Sequence, residues 1–405
     1  MKGVHAVYLS KDLMVYGAGV ENCVNVYNKH TNKLCRLHKR LYEHLLSLDR
    51  SGKMSDIIAD LSESQQKVLF DNNVVYESEA EYSKAKYARG YRRADKKLEM
   101  VYIHLTMDCN LACTYCYHGI AKSGGPQMSL EDAVRVFSSL KSAGVKSLVF
   151  TGGEPLMCRD FLEIIRQAKN LGFHVTVNTN GTLIGMQTLQ DMYGYLDCMI
   201  VSLDSIESED RIGADPKEIL TNVLSAKNGN AGNKIEVRSV LMKGKESETE
   251  FLGKILASSG IRHIKVLCLP NCKSDIDKLP DHNALDFSQA GDTSSGCGAD
   301  NGVIALDPEG NIFPCQTLVK PELKIASIFD DDWHGKFLRS DLCHKINSFM
   351  VENHAECLAC DVGNFCGGGC RAVAYNVYGD FAARMDFLCG YLKANGIGRL
   401  LNVAK

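Results

Sequence analysis

The chain has 405 residues, a formal net charge of −3 and 45% hydrophobic residues. This length predicts two or three domains, and the composition excludes a disordered or strongly basic chain. Residues 1–10 lack a signal-peptide pattern, and no run approaches the ~18 apolar residues of a spanning helix, so we expect a cytoplasmic protein with no membrane partner. Seventeen cysteines in such a chain indicate reduced metal ligands rather than disulfides.

Residues 1–77 are predicted to form a small N-terminal domain. Short apolar runs at residues 6–9, 13–16 and 23–27 indicate a β-meander. Leucines at intervals of three and four residues then predict a helix. Ser55 is a candidate cap for a helix over residues 57–61, another helix is predicted over 65–70, and a closing strand over 74–76. The leucines are Leu34, Leu37, Leu41, Leu45 and Leu48.

Residues 78–97 form a basic segment with interleaved tyrosines. Such a segment could bind RNA or an acidic peptide, but a solvated linker is the favoured interpretation because the rest of the chain is not basic, and we expect no nucleic-acid partner. The basic residues are Lys84, Lys86, Arg89, Arg92, Arg93, Lys96 and Lys97, and the tyrosines are Tyr82, Tyr87 and Tyr91.

From residue 98 to residue 270, predicted strands alternate with predicted helices. This order implies parallel strands joined by helical crossovers, and hence a partial (β/α)6 TIM-like barrel with its active site at the carboxyl ends of the strands. Ser129 and Asp132 fit a capping box for the first helix. The predicted strands cover residues 100–106, 147–150, 174–178, 198–203, 235–241 and 263–267, and the helices cover 129–143, 161–170, 183–193, 216–228 and 248–259.

Three cysteines follow the first of these strands: Cys109, Cys113 and Cys116, with Tyr117 next in the chain. Three thiolates on a four-iron cluster leave one iron open, and an open iron can bind a substrate. This CxxxCxxC spacing with an aromatic residue after it resembles the radical S-adenosylmethionine (SAM) enzymes, in which the open iron chelates SAM. The resemblance implies SAM as a cofactor.

A second cysteine pattern resembles the SPASM extension of that superfamily, which carries two auxiliary clusters. The resemblance implies three [4Fe–4S] clusters in all, a bridging region over residues 271–296, a SPASM domain over 297–390 and a C-terminal helix over 391–405. It assigns Cys297, Cys315 and Cys370 to the first auxiliary cluster, and Cys357, Cys360, Cys366 and Cys389 to the second.

The fourth ligand of the first auxiliary cluster stays undecided. Some relatives have a further cysteine six residues after the first, but Val303 stands there, so that iron is open or is held by Cys268 or Cys272. The five remaining cysteines fit no ligand spacing and are interpreted as packing residues. They are Cys23, Cys35, Cys158, Cys198 and Cys343.

Other residues resemble positions that contact SAM in the superfamily. Glycines permit a close approach of backbone, and a carboxylate can accept from an ammonium group. Each of these short motifs is also an ordinary turn or cap. Either of two arginines could pair with the SAM carboxylate. The candidates are Tyr117, Gly152, Gly153, Glu154, Asn178, Ser202 and Asp204, with Arg211 and Arg238 as the arginines.

The N-terminal pattern resembles the winged-helix domain with which related enzymes bind the leader of a precursor peptide by strand addition. A structural cap without a ligand is the alternative. The whole chain is therefore predicted to be a radical SAM/SPASM peptide maturase that forms a thioether or carbon–carbon crosslink, with a flavodoxin or ferredoxin as electron donor. The alternatives are an anaerobic sulfatase-maturing type oxidase and a non-catalytic iron–sulfur electron-transfer protein, which would need no SAM-binding loop. Neither the peptide nor a catalytic residue follows from the sequence.

Overall fold

A computed structural model provides the structure of the protein. None of the helices in the part of the chain that it describes combines the length and the apolarity needed to cross a membrane. The described residues are 7–11, 13–17, 22–28, 31, 33–48, 58–78, 80–81, 98–119, 124–207, 210–228, 234–280, 302–346, 348–349, 351–360, 363–391 and 393.

The N-terminal part packs an antiparallel meander and a strand pair against helices. Strands β2, β3 and β4 form the meander, and β1 pairs with β5. Val26, Leu37, Leu45 and Leu69 fill one apolar core between these elements. The elements are β1 (Tyr8–Leu9), β2 (Leu13–Gly17), β3 (Cys23–Asn28), β4 (Lys33–His38), α1 (Lys39–Leu48), α2 (Glu63–Asp71) and β5 (Val75–Tyr76).

The predicted start of the first helix is wrong. Leu34 and Leu37 lie in strand β4, and the helix begins only at Lys39. Residues 33–38 pair with β3 along their whole length, and Cys35 and Leu37, two residues apart, both point into the core. The closing strand is confirmed at Val75–Tyr76. Residues 51–57, which include the proposed cap Ser55, lie outside the described residues.

The central part is a parallel sheet with helical crossovers, as predicted. Six strands run in the order β13, β12, β10, β9, β8, β6, all parallel. The strands are β6 (Met100–Thr106), β8 (Ser147–Gly152), β9 (His174–Thr179), β10 (Cys198–Ser202), β12 (Ile235–Leu241) and β13 (Arg262–Leu267). The helices are α3 (Leu130–Ser142), α4 (Phe161–Asn170), α5 (Met186–Met192), α6 (Pro216–Asn228) and α7 (Glu246–Ser258).

The two faces of this sheet differ in chemistry. Val101, Phe150, Val177 and Val237 point to the helices and belong to one large apolar core. Because strand side chains alternate, their neighbours point to the opposite face, here called the inner face. That face carries Tyr102, His104, Thr151, Asn178, Ser202 and Arg238.

The C-terminal part extends the same sheet and then becomes irregular. Strand β14 lies parallel to β6, and β15 and β16 follow in antiparallel pairing, so the sheet has nine strands among the described residues. Only short helices follow. The elements are β14 (Val303–Leu306), β15 (Asn311–Phe313), β16 (Ala326–Ser327), α8 (Trp333–Leu338), α9 (Asp341–Ile346), α10 (Ala355–Leu358), α11 (Gly363–Cys366) and α12 (Arg371–Tyr378).

Candidate functional site

The loop that carries Cys109, Cys113 and Cys116 leaves the carboxyl end of β6, the first strand of the parallel sheet. It contains a short strand, β7 (Ala112–Cys113), which pairs antiparallel with β11 (Arg211–Ile212). Thr114 extends this pairing by donating its backbone N–H to Asp210 at 2.9 Å. The loop is thus held by a two-stranded ribbon rather than left as an open turn.

The three thiols of this loop lie close enough to influence one another. The pKa of Cys113 is raised to about 11, mainly by burial; Arg211 opposes this rise, and Cys116 and Cys109 contribute to it by opposing a second negative charge. Burial also raises the pKa of Cys109. The raised pKa values of Cys109 and Cys113 favour their thiols, whereas a bound iron cluster would stabilise the thiolates.

A glycine pair packs directly against the backbone that precedes Cys109. A Cβ atom on Gly152 would stand 2.1 Å from the carbonyl oxygen of Thr106, and one on Gly153 would stand 2.1 Å from that of Asp108. Gly153 and Glu154 donate backbone N–H groups to these same two carbonyls at 2.9 and 2.8 Å. The Gly-Gly-Glu turn therefore fixes the start of the cysteine loop.

The Glu154 side chain is fully buried and accepts three hydrogen bonds. Its Oε1 accepts from the Thr179 hydroxyl at 2.8 Å and from the Leu156 N–H at 3.2 Å, and its Oε2 accepts from the Asn180 N–H at 2.7 Å. Burial raises the pKa of Glu154, and these donors oppose that rise. The Asn180 side chain then reaches Cys109 Sγ at 3.8 Å, so the carboxylate links the end of β9 to the cysteine loop.

Asp204 and Arg211 are brought together by Tyr115, which the sequence reasoning did not select. The Tyr115 hydroxyl donates to Asp204 Oδ2, and Arg211 Nη1 lies 3.1 Å from the Tyr115 oxygen and 3.8 Å from Asp204 Oδ2. Asp204 Oδ1 accepts from the Val240 N–H at 2.8 Å. Burial raises the pKa of Asp204, against the opposing effect of Arg211. Both side chains therefore stabilise the protein around the loop.

The remaining candidates lie on the inner face. Ser202 is opposite Arg238 in the register of β10 and β12. Asn178 Oδ1 and Arg238 Nε are buried, and neither has a hydrogen-bond partner among the described residues. Because buried polar atoms are normally paired, these two atoms indicate that a polar ligand completes the inner face.

Tyr117 lies between the cysteine loop and the C-terminal part. Burial raises its pKa, and Cys116, Tyr102 and Cys315 raise it further, while Arg238 opposes them. Burial likewise raises the pKa of Tyr102, again with effects from Arg238 and Cys315. Tyr102, Tyr117 and Arg238 therefore lie near one another, and both phenols lie near Cys315.

Two histidines on this side of the sheet were not predicted. The rings of His104 and His118 meet edge to face with centroids 4.8 Å apart, and His118 also contacts Tyr117 at 4.3 Å. Burial lowers the pKa of His118 to about 4 and lowers that of His104 well below its ordinary value. The strand alternation that places Tyr102 inward also places His104 inward, so this signal was available in the sequence.

Among the described C-terminal cysteines, Cys357, Cys360, Cys366 and Cys389 lie near one another. The pKa of Cys366 is raised to about 11, mainly by burial, with contributions from Cys389 and Cys357. Cys360 acts in the same direction on Cys357 and Cys389. Cys315 and Cys370 instead border one apolar cluster with Phe313 and Ala372. Cys297 lies outside the described residues.

The bridge cysteines occupy different surroundings. Cys268 is buried and its pKa is raised to about 11 by burial, with Asp275 and Lys278 nearby. Cys272 is exposed, with its Sγ 3.0 Å from Ser274 Oγ. None of the described cysteines is in a disulfide, and three of the predicted packing cysteines, Cys35, Cys158 and Cys343, are buried in the apolar cores.

Cysteine thiolates are the usual ligands of iron–sulfur clusters, and the CxxxCxxC loop carries three of these side chains. Among the described residues, no group of three His, Cys, Asp or Glu side chains is gathered tightly enough for one metal ion. A four-iron cluster is wider than an ion, so its thiolates stand further apart. Cys109, Cys113 and Cys116 would supply three ligands to such a cluster, and the unpaired atoms of Asn178 and Arg238 would be available to a polar ligand on the inner face.

Comparison with known proteins agrees with this site. Residues 103–251 match the family model of the Radical SAM superfamily. An S-adenosylmethionine-dependent nucleotide dehydratase of Lacinutrix mariniflava is 32% identical over 124 residues, which are 29% of this chain and 26% of that protein. A probable GTP 3′,8-cyclase of Methanocella arvoryzae is 34% identical over 114 residues, 28% of this chain and 37% of that protein. The chain thus matches well under half the length of these relatives.

Two solved structures share the fold over longer stretches. SuiB of Streptococcus suis bound to its precursor peptide SuiA has a TM-score of 0.57 at 16% identity, covering 94% of this chain and 99% of that one. The enzyme anSMEcpe with bound AdoMet and a Cp18Cys peptide has a TM-score of 0.58 at 20% identity, covering 75% and 98%. At these identities the likeness shows the fold alone. With the family match and the cysteine loop, it identifies residues 103–251 as a radical SAM domain of the Radical SAM superfamily.

Proposed function

We propose that the protein is a radical SAM peptide maturase that introduces an intramolecular thioether or carbon–carbon crosslink into a ribosomally made precursor peptide. The observation that carries this proposal is the arrangement of the inner face. Cys116 of the SAM-cluster loop, Arg238 and the C-terminal Cys315 all lie close enough to Tyr117 to affect its pKa, and Arg238 Nε is buried with no hydrogen-bond partner among the described residues. A substrate held there would lie between two sources of redox chemistry.

The residues divide the work as follows. Cys109, Cys113 and Cys116 would hold the SAM-binding [4Fe–4S] cluster. Asn178, Ser202 and Arg238 would bind the polar groups of SAM. Arg238 is the better candidate for the SAM carboxylate, because Arg211 is already paired with Asp204 and Tyr115. Gly152, Gly153 and Glu154 would hold the loop in place. When bound, the reduced cluster and SAM supply a 5′-deoxyadenosyl radical that abstracts hydrogen from an unactivated carbon.

The C-terminal cysteines would hold the auxiliary clusters. Cys297, Cys315 and Cys370 are proposed for the first cluster, and Cys357, Cys360, Cys366 and Cys389 for the second. Forming a crosslink from a substrate radical removes one more electron, and Cys315 lies on the side of the inner face from which a cluster could accept it. A flavodoxin or ferredoxin would supply the first electron, in the reducing cytoplasm that exposed thiols require.

The N-terminal part would recognise the leader of the precursor. Strand β2 is an outer strand of the meander, and an outer strand can pair with an added peptide strand. The structure of SuiB with a bound precursor peptide covers 94% of this chain, whereas that of anSMEcpe covers 75%. This difference favours a winged-helix-like leader domain and a peptide crosslink over the sulfatase-maturing alternative.

A nucleotide substrate is the second candidate, since two relatives are named for nucleotide chemistry. Their similarity spans only 26% and 37% of their lengths, which leaves their substrate-specific parts unmatched. A non-catalytic electron carrier is the third. Such a carrier would have no use for the polar atoms of Asn178 and Arg238 that lack a hydrogen-bond partner on the inner face.

The test uses peptides encoded by short reading frames beside the gene. The reconstituted, reduced enzyme should convert one of them to a product lighter by two hydrogens, detected by mass spectrometry together with 5′-deoxyadenosine. Deleting residues 1–77 should leave SAM cleavage without peptide largely intact but strongly reduce crosslinking, because tethering of the leader raises its effective concentration.

A leaderless peptide is the matched control. Full-length enzyme on this peptide should react as slowly as the truncated enzyme does on the peptide with its leader. Crosslinking at the full-length rate by the folded truncated enzyme would make the N-terminal part a structural cap, and turnover of GTP instead of any peptide would favour the nucleotide reading.

A further inference from the structure

A short connector joins the parallel sheet to the C-terminal part and contacts the cysteine loop. It follows β13 and includes the 3-10 helix Lys273–Lys278. Asn271, just before this helix, donates its side-chain Nδ2 to the carbonyl oxygen of Cys116 at 3.2 Å. The same side chain accepts at Oδ1 from Asn376 Nδ2 at 3.1 Å. One asparagine therefore joins the cluster loop to helix α12.

The chain of hydrogen bonds continues beyond Asn376. Its Oδ1 accepts from Lys320 Nζ at 2.7 Å. Lys320 follows Cys315 by five residues, and α12, which carries Asn376, has Cys370 as its N-cap residue. The Cys116 carbonyl is thus connected through two side chains to both segments that bear the described ligands proposed for the first auxiliary cluster.

The direction of every hydrogen bond in this chain is set by its two ends. The Cys116 carbonyl can only accept, so Asn271 must turn its NH2 group toward it and its oxygen toward Asn376. The Lys320 ammonium can only donate, so Asn376 must turn its oxygen toward Lys320 and its NH2 group toward Asn271. Both amide orientations follow from the partners, and the lysine charge polarises the whole chain toward the loop.

The connector itself is held against the loop at two points. Asp275 Oδ2 accepts from the Asn271 backbone N–H at 3.0 Å, and its Oδ1 lies 2.7 Å from Lys278 Nζ. Lys278 also donates to the Thr114 carbonyl at 2.9 Å. The Asn271 side chain is therefore fixed by its own backbone, which makes it suited to transmit a displacement rather than absorb it.

We propose that Asn271 and Asn376, the asparagine bridge, are positioning residues that couple the Cys116 end of the SAM-cluster loop to the Cys315 and Cys370 segments. The inference rests on the cluster ligands of the proposed function. The polarised NH2 group of Asn271 places positive charge beside the loop, which stabilises the more negative, reduced state of a cluster held there. The bridge thus sets both the position and the reduction potential of that site.

The structural half of the test needs no cluster. In metal-free protein, Asn271→Ala and Asn376→Ala should each raise amide hydrogen exchange at Cys116 and Gly119 by about fivefold, the effect of losing one hydrogen bond. Exchange in the double variant should be little faster than in either single variant, because each change breaks the same series of hydrogen bonds. Ser274→Ala, an exposed position on the same connector, is the matched control and should change nothing.

The redox half uses reconstituted protein and a redox titration followed by electron paramagnetic resonance. The reduction potential of the SAM cluster should become more negative in Asn271→Ala and more so in Asn271→Asp, which places a carboxyl group beside the loop. Lys320→Gln, which leaves both asparagines in place, should shift it in the same direction. Wild-type exchange and potential in Asn376→Ala, or additive effects in the double variant, would overturn the proposal. If the protein modifies no peptide, the proposed function is refuted, but the hydrogen-exchange result still decides whether the asparagine bridge positions the loop.

Discussion

The two cysteine-rich regions of the molecule are held in different ways. The loop with Cys109, Cys113 and Cys116 is attached to a sheet with a large apolar core and is braced by β11, by the Gly-Gly-Glu turn and by the connector. The region from Cys357 to Cys389 has two four-residue helices, α10 and α11, joined by single turn bonds, such as Cys360 N–H to the Cys357 carbonyl at 3.2 Å.

The second region is organised around a buried arginine instead of a large core. The Arg371 guanidinium donates to the carbonyls of Phe381 at 2.9 Å and of Ala383 at 3.2 Å, and it lies 4.4 Å over the Phe349 ring. Three successive glycines, residues 367–369, have positive φ and let the chain turn tightly there. We expect this region to depend on bound metal for part of its folding energy, because its apolar core, which includes Val373, Met385 and Leu388, is small beside that of the parallel sheet.

Removing the metal should produce the largest difference in stability between the two cysteine-rich regions. In metal-free protein, we expect amide exchange over residues 357–389 to rise to that of a largely unfolded segment, because metal binding there is also folding energy. Exchange in β6, β8 and β9 should stay slow. Hydrogen exchange measured by mass spectrometry, with and without cluster reconstitution, follows both regions in one experiment. Equal protection of residues 357–389 in the reconstituted and the metal-free protein would show that the two regions do not differ in this way.

Removing one ligand should have a smaller effect of the same kind. Cys357→Ala or Cys389→Ala should lose the second auxiliary cluster, about four irons per chain, and destabilise the last hundred residues. Cys343→Ala, at a buried cysteine outside both clusters, is the control and should keep all its iron. Full iron content and full peptide turnover in the ligand variants would show that these thiols hold no cluster.

A single methyl group should test the bracing of the first loop. In Gly153→Ala the new Cβ atom would meet the Asp108 carbonyl oxygen at 2.1 Å, so the backbone must move, and we expect a loss of about 2–3 kcal/mol in the free energy of unfolding. Gly194→Ala is the matched control, since nothing lies within 4 Å of its Cβ position. Denaturant unfolding measures the stability of both variants. Equal stability of Gly153→Ala and Gly194→Ala would contradict a tight contact between Gly153 and the Asp108 carbonyl.

The smallest expected effect is a pH dependence within the sheet. Burial lowers the pKa of His263 from its ordinary value of 6.5 to about 4, and its Nε2 lies 2.6 Å from Ser239 Oγ. The unfolded chain therefore binds a proton between these values while the folded chain does not, so stability should fall as the pH falls from about 6.5 to about 4. His263→Gln should make that part of the curve less steep, while His104 and His118, whose pKa values are also lowered, maintain the remaining slope. An unchanged slope in denaturant unfolding would show that His263 does not contribute.

The sequence predicted the parallel sheet well, for a physical reason. Strands β6 and β12 and helices α4 and α6 begin and end where their patterns do, because each buries one face and the pattern records that burial. The start of α1 was predicted too early because the leucines at helical spacing begin with Leu34 and Leu37 in strand β4 and continue into the helix. The strand pattern there consists only of Cys35 and Leu37, two residues apart, and is too short to compete with the leucine pattern.

The site was predictable only where ligands share a local motif. The spacing from Cys109 to Cys116, together with the later cysteine pattern, predicts a metal-binding loop. Tyr115, Asn271 and Lys278 act through contacts with residues 89, 155 and 164 positions away in the chain, which no local pattern records. Asp204 and Arg211 were selected for contact with SAM, but in the structure their charges are directed at each other and at Tyr115.

The most direct test of the radical SAM assignment is 5′-deoxyadenosine formation by anaerobically reconstituted, reduced protein with SAM alone. The wild-type protein should form it. The variant with Cys109, Cys113 and Cys116 all replaced by Ala should form none while keeping about eight irons per chain in two four-iron clusters. Undiminished SAM cleavage by that variant would contradict the account, because the cysteine loop could not then be the SAM site.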